Sequence, residues 1–191
     1  MSKLEKIETD RFVIEMTELN KLCVIKQRTI FDHRGEFTRL YCQDQFLTAG
    51  LHKPIVQINK SKTLKAGSIR GMHFQSGTSA EDKIVSCVVG KVFDVAVDIR
   101  SNSETYLCWF GVELSSENHT SLLIPAGFAH GFQSLEANSE IIYFVTQQYD
   151  SFAENGINPF DPALGIKWPL ACADISEKDA SRPFVDKFAN E

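Results

Sequence analysis

From residue 55 to residue 149 the chain is a succession of short, strand-length runs separated by turn formers, and this punctuation limits what it can fold into. The runs are Ile55–Ser61, Gly67–Gln75, Lys83–Arg100 (hinged at Gly90 and Lys91), Tyr106–Leu114, Ser121–Pro125, Phe128–Leu135 and Glu140–Tyr149. Between them lie Ser101–Ser103, Ser116–Asn118 and Ala137–Ser139, triplets rich in serine and asparagine, whose side chains bond their own backbone in turns. Helical periodicity is scarce. Many short strands at close spacing predict an all-β sandwich or barrel.

The flanks are less regular. Phe12–Ile14 and Leu22–Ile25 suggest edge strands, Asp32–Gly35 a turn, and Glu36–Cys42 a further strand. Asp44–Gly50 suits one or two helical turns, and the segment after Asp150 reads as irregular and partly helical. With no linker, repeat or low-complexity run, residues 1–191 are expected to form one domain, with a barrel core over about residues 50–150.

Composition narrows the function classes. A hydrophobic fraction of 43% and a charged fraction of 24% are those of an ordinary globular protein. A net charge of −5 argues against nucleic-acid binding across the surface, yet permits a basic pocket for a small anion. The five cysteines are scattered with no CxxC pair, so neither a disulfide framework nor a zinc site is signalled. Cys87 and Cys108 lie in apolar runs and are expected to be small buried hydrophobes. The charged start of the chain and the lack of a membrane-length apolar run predict a cytoplasmic protein without membrane contact.

Polar residues recur where strands should be apolar. Alternation places Gln57, Asn59 and Ser61 on one face, His73 and Gln75 on another, and Tyr143 and Tyr149 on a third. Such residues line a ligand-holding lumen, or else belong to the solvated face of an antiparallel sheet. His73, flanked by Arg70 and Gln75, is a candidate base, although a histidine on a strand is commonly a hydrogen-bonded structural residue. Parity puts Arg70 opposite His73, so both reach one pocket only if Gly71 bends the strand.

Gly67 with His73, and Pro125–His130, resemble the two halves of the cupin signature. A metal-binding cupin adds a histidine two residues after His73 and a glutamate soon after; here Gln75 stands there and the next acid is Glu81. A barrel is therefore expected and a metal is not. A closer likeness extends over about residues 12–184. The stretches Asp32–Phe37, Gln57–Ser61, Gly67–Gln75, Gly90–Arg100, Ile124–Phe132, Tyr143 with Tyr149, Asp161–Pro169 and Ile175–Asp179 together resemble the dTDP-4-dehydrorhamnose 3,5-epimerase family.

The resemblance implies a cupin-type jelly roll with a short helical C-terminal segment, and a cofactor-free isomerase of a nucleotide-linked 4-keto-6-deoxyhexose. The pathway implied is dTDP-rhamnose synthesis, serving lipopolysaccharide O-antigen. The C4 ketone acidifies the protons on C3 and C5, so a base generates an enolate and reprotonation from the other face inverts the centre. By resemblance His73 is the base, Tyr143 the acid, Lys83 the stabiliser of the enolate oxygen, and Asp179 the partner that orients His73. Local sequence alone reads Tyr143 as a core tyrosine, Lys83 as a solvated strand-start lysine, and Ser176–Asp179 as a capping box. Asp161, in an Asp-Pro turn, is expected to be structural.

Ligand contacts follow in the same way. Arg34 and Arg70 suit a diphosphate, because guanidinium binds phosphate oxygens bidentately. Gln57 and Asn59 face the ligand, His130 meets the sugar or supports the base, and Phe37 and Tyr149 sandwich the nucleobase. The segment around Arg34 and Phe37 is expected to reach the neighbouring site of a homodimer. One position departs from the family: many members carry glutamate where this chain has Arg39. A carboxylate accepts from thymine N3–H, whereas arginine only donates and suits cytosine N3. The alternatives are therefore a C5- or C3-only epimerase of another nucleotide sugar such as a CDP-linked 3,6-dideoxy-4-hexulose, a non-catalytic sugar-nucleotide binding barrel, and a metal-dependent cupin oxygenase.

Overall fold

A computed structural model describes residues 5–185 of the chain. Two antiparallel sheets face each other. The first holds seven strands: β1 (Lys6–Glu8), β2 (Phe12–Met16), β3 (Cys23–Gln27), β6 (Gln57–Thr63), β8 (Lys83–Val89), β11 (Thr120–Ile124) and β13 (Ser139–Val145). Their order is β1-β2-β3-β11-β8-β13-β6. The second runs β10 (Trp109–Ser115), β9 (Lys91–Asp98), β12 (Phe128–Ser134), β7 (Ser68–Gln75), β14 (Glu154–Gly156), with β15 (Asp174–Ile175) parallel to β7. A two-stranded hairpin, β4 (Ile30–Asp32) and β5 (Gly35–Phe37), stands apart from both.

Alternation along the strands fills three apolar layers. Val24, Val85, Leu122 and Ile141 of the first sheet meet Val92, Ala96, Leu114, Phe128 and Phe132 of the second. The outer face of the first sheet, with Ile14, Ile25 and Ile84, is covered by Phe46 of helix α1 (Gln43–Leu47), Ala49 and Leu51. The outer face of the second, with Met72, Val95, Val97 and Ala129, is covered by Ile157, Leu164 and Val185 from the C-terminal segment. Each large apolar side chain so buried contributes about 1.5–3 kcal/mol. The strand punctuation predicts a sandwich or barrel, and the fold is the cupin-type jelly roll that the resemblance implies.

Most expected elements form within a few residues of their predicted bounds; β2 and β3, expected at a sheet edge, instead lie inside the first sheet, because β1 pairs outside β2 and β11 pairs with β3. Asn138 takes φ +61° in the Ala137–Ser139 turn, a conformation asparagine tolerates. Two readings are corrected. Glu36–Cys42 is strand only as far as Phe37, because β5 pairs with β4 alone and residues 38–42 have no partner strand. Cys108 is exposed, whereas Cys87 is buried. Cys108 precedes β10 because residues 100–105 fold around the buried carboxylate of Asp98, which accepts bonds from Arg100, Ser103 and Thr105. Burial pushes the Asp98 carboxyl up, but those bonds outweigh it and hold it well below the usual range.

Candidate active site

The centre of β7 decides what faces the interior. His73 pairs with His130 of β12, but Arg70 pairs with Phe132, so β7 carries one extra residue between them. That bulge reverses the alternation. Arg70 and His73 both line one cavity, while Met72 between them is fully buried in the opposite layer. The bulge needs glycine. Gly71 has φ +125°, and a Cβ there would come 2.5 Å from the Cα of Gly131 and 2.8 Å from the carbonyl oxygen of His130. The bend on which a shared pocket depended is present.

Asp179 closes the site from behind. Its helix, α2 (Glu177–Ala180), starts at Ser176, whose hydroxyl accepts from the Asp179 N–H at 3.0 Å. In a capping box the acid would reach back to the N-cap N–H. Here its carboxylate turns away, with Oδ1 2.6 Å from Nε2 of His73 and Oδ2 accepting from the Gly71 N–H at 3.2 Å. Ser176 caps as expected, and the carboxylate serves the histidine. Burial pushes the Asp179 carboxyl up, but the bonds from His73 and Gly71 prevail and keep it low, so it stays a carboxylate. The proton between them is thereby assigned to Nε2. Nδ1 of His73 has no hydrogen-bond partner among the described residues and is left as the basic nitrogen. The His73 side chain is 38% exposed and that of Asp179 6%, so the imidazole is the more open of the two to the cavity.

Three further groups converge on the same space. The Lys83 ammonium lies 3.1 Å from Glu81 and 5.7 Å from the centre of the Tyr143 ring, with its side chain 13% exposed. It is not a solvated strand-start lysine. Glu81 also accepts from Gln75, whose amide further donates to the carbonyls of Ser79 and Gln148. The position where a metal cupin has its second histidine thus serves as a loop clamp. Tyr143 lines the cavity, and its hydroxyl has no hydrogen-bond partner among the described residues. Burial, reinforced by Glu81 and opposed by Arg70, raises its phenol, so the side chain keeps its proton near neutrality. Nε2 of His130 is bonded to the fully buried Asp94 at 2.8 Å, a second histidine–carboxylate pair beside the first.

The cavity measures about 660 Å³ and is lined by His73, Lys83, His130, Tyr143, Arg70 and Asp179, among others. A space of about 330 Å³ continues from His73, Lys83 and Tyr143 to Gln57, Asn59, Tyr149 and Glu154. An imidazole with a free ring nitrogen, a protonated phenol and an ammonium around one hollow are the kinds of group that proton transfer beside a carbonyl requires.

Comparison with known proteins settles the relationship. The family model for dTDP-4-dehydrorhamnose 3,5-epimerase matches residues 16–187. The chain belongs to that family. The Salmonella typhimurium dTDP-4-dehydrorhamnose 3,5-epimerase is 41% identical over 92% of this chain and 96% of its own length. A 3,5-epimerase of Sinorhizobium fredii is 40% identical over 92% of this chain and 91% of its own. The crystal structure of the Legionella pneumophila enzyme in complex with dTDP-4-keto-L-rhamnose superimposes with a TM-score of 0.87 at 38% identity, covering 91% of this chain and 92% of that one. The protein is an isomerase of the carbohydrate epimerase class.

Within this epimerase, the predicted site residues fall into two groups. His73, Lys83, Tyr143, Asp179, Arg70, His130, Gln57, Asn59 and Tyr149 all line the connected hollow. Arg34, Phe37 and Arg39 do not. Arg34 sits at the tip of the β4–β5 hairpin, 2.6 Å from Asp32, and Phe37 is 59% exposed. Asp161 accepts from the N–H groups of Ala163 and Val185 and pins the C-terminal cover, a structural role as expected. Sequence reasoning gave no role to Asp94, Glu81 or Glu154. Glu81 was within reach, because it lies only two residues before Lys83; the other two meet their partners only in the folded chain.

Proposed function

We propose that the protein catalyses the 3,5-epimerisation of dTDP-4-dehydro-6-deoxyglucose to dTDP-4-dehydrorhamnose without a cofactor. One observation carries this reading: the His73–Asp179 pair and the protonated Tyr143 line a single cavity that also holds the Lys83 ammonium. Nδ1 of His73 removes the proton beside the C4 ketone, and the electron pair moves onto the ketone oxygen as an enolate. Lys83 stabilises that oxygen. Tyr143 returns a proton to the opposite face of the carbon, and the two side chains reset by exchange with solvent. The same cycle runs at C5 and at C3. Asp179 holds the His73 tautomer and stabilises the imidazolium.

Arg70 meets the diphosphate. It is exposed toward the cavity, and its guanidinium is already oriented by Thr63 at 3.1 Å and the Lys62 carbonyl at 3.2 Å. His130, held by Asp94, contacts the sugar, and Tyr149 stacks on the base beside Gln57 and Asn59. Arg34, Phe37 and Arg39 act in the neighbouring subunit of a homodimer. The hairpin that would reach there leaves Ile30, Phe31 and Phe37 exposed at 44%, 68% and 59%, more apolar surface than an isolated excursion needs. The enzyme works in the cytoplasm on a soluble nucleotide sugar. Thymine is the base adopted, and competition between dTDP and CDP tests it: tighter CDP binding would transfer the role to a CDP-sugar through Arg39.

The deciding experiment is proton NMR in D₂O with dTDP-4-keto-6-deoxyglucose. Deuterium is expected at both C3 and C5, and His73→Ala should abolish it. Exchange at one centre would make the protein a single-site epimerase, and none at either would overturn the reading.

A further inference from the structure

The carboxylate of Glu154 gathers groups from three parts of the chain. Its Oε1 accepts from Lys178 Nζ and Arg182 Nη2, each at 2.7 Å, and its Oε2 accepts from Lys178 at 2.8 Å and from the Tyr149 hydroxyl at 2.6 Å. Lys178 lies on α2, next to Asp179. Tyr149 follows β13 and lines the outer part of the hollow. Glu154 itself is on β14, which pairs with β7 so that Glu154 stands opposite Gln75 and Gly156 opposite His73.

The packing around this cluster has been kept clear. Arg182 reaches Glu154 by crossing Gly156, where an added Cβ would lie 2.7 Å from its Nε. Glu154 and Arg182 are 16% and 14% exposed, so the ion pair is mostly withdrawn from water, where charged hydrogen bonds count for more than at the surface. Tyr149, by contrast, is 59% exposed, and among the described residues its hydroxyl is fixed by Glu154 alone. One side chain therefore links the tyrosine at the outer end of the hollow to the helix that presents Asp179 to His73.

We infer that Glu154 is a positioning residue for the reaction: it holds Tyr149 and α2 in one geometry, so that the substrate's outer end and the His73–Asp179 pair are set relative to each other. This rests on the proposed epimerase reading. It needs no contact between Glu154 and the reacting atoms, because a misplacement of about 1 Å lowers turnover by up to ~100-fold.

The test compares wild type with Glu154→Gln, Tyr149→Phe and the double variant, in the D₂O wash-in assay with dTDP-4-keto-6-deoxyglucose. Glu154→Gln keeps the shape and loses the charge, and is expected to lower kcat/KM roughly 10- to 100-fold with both kcat and KM changed. Tyr149→Phe removes the hydroxyl bond to Glu154 and leaves the Lys178 and Arg182 bonds in place, so it should raise KM, with kcat little altered. Because both variants break the same link, the double variant should lose much less than the product of the two single losses. Multiplicative losses, or a Glu154→Gln enzyme within about two-fold of wild type, would overturn the inference. If Glu154→Gln fails to fold, a Tyr149→Phe enzyme with unchanged KM overturns it alone. A wild-type enzyme without wash-in would instead refute the epimerase reading.

Discussion

Asp179 and His73 lie 106 residues apart in sequence and 2.6 Å apart in space, and the same carboxylate also accepts from the N–H of Gly71, at the bulge of β7. One side chain thus fixes both the histidine's tautomer and the backbone bend that turns it into the cavity. Removing its charge should leave the fold and disable the base. Asp179→Asn is expected to lower wash-in at C3 and C5 by roughly 10²-fold, with the unfolding midpoint changed far less than activity. Parallel rate and thermal-melt measurements check this, and proportionate losses of both would count against it.

Tyr143 separates exchange from inversion. With the base intact, Tyr143→Phe should still exchange the acidic proton for deuterium on the original face. Net inversion should fall by about 10²–10⁴-fold, since the acid on the opposite face is lost. Coupling constants of the recovered sugar distinguish the two stereochemical outcomes.

Gly71→Ala tests the bulge. The new Cβ would press on Gly131 and His130 from a backbone at φ +125°, so either the pairing of β7 with β12 opens or Arg70 and His73 part company. A destabilisation of about 1–3 kcal/mol is expected, read from denaturant midpoints. Turnover should fall even under conditions where the variant remains folded.

Acid stability should carry the signature of Glu154. The bonds from Lys178, then from Tyr149, bring its carboxyl down to about 2 from an ordinary value of 4.5. A group whose pKa is lowered by folding stabilises the protein above its ordinary value, and that contribution is lost as pH falls through the folded one. Wild type should therefore lose stability from about pH 4.5 toward pH 2, and Glu154→Gln should lose less over the same window. The difference between the two melting-temperature profiles is the measurement, and parallel profiles would count against it.

The β4–β5 hairpin should report assembly. Phe31→Asp and Phe37→Asp place charge on its two exposed phenylalanines, and are expected to shift the proposed homodimer to monomer in light scattering. Phe37→Asp should also raise KM, because the same residue is assigned to the neighbouring nucleobase. A wild-type monomer with full activity would sink the shared-site arrangement.

Sequence alone determined the fold class. Alternation and turn chemistry are local, so β8, β9 and β12, the start of β13, and asparagine in the tight turn at Asn138 could be read within a residue or two, whereas β13 ends at Val145, four residues short of the Tyr149 that was expected to close it. The motif set added the family and the identities of His73, Lys83, Tyr143 and Asp179. What the alternation could not supply was the phase of β7, because a single extra residue reverses every side chain beyond it, and only its pairing with β12 shows where that residue lies. Local sequence likewise assigned Asp179 to a helix cap, and could not reveal that its carboxylate would find a histidine from another sheet strand closer at hand. Asp94 and Glu154 were silent for the same reason. A carboxylate's role depends on which charges the fold brings within about 3 Å, and that proximity belongs to the tertiary structure.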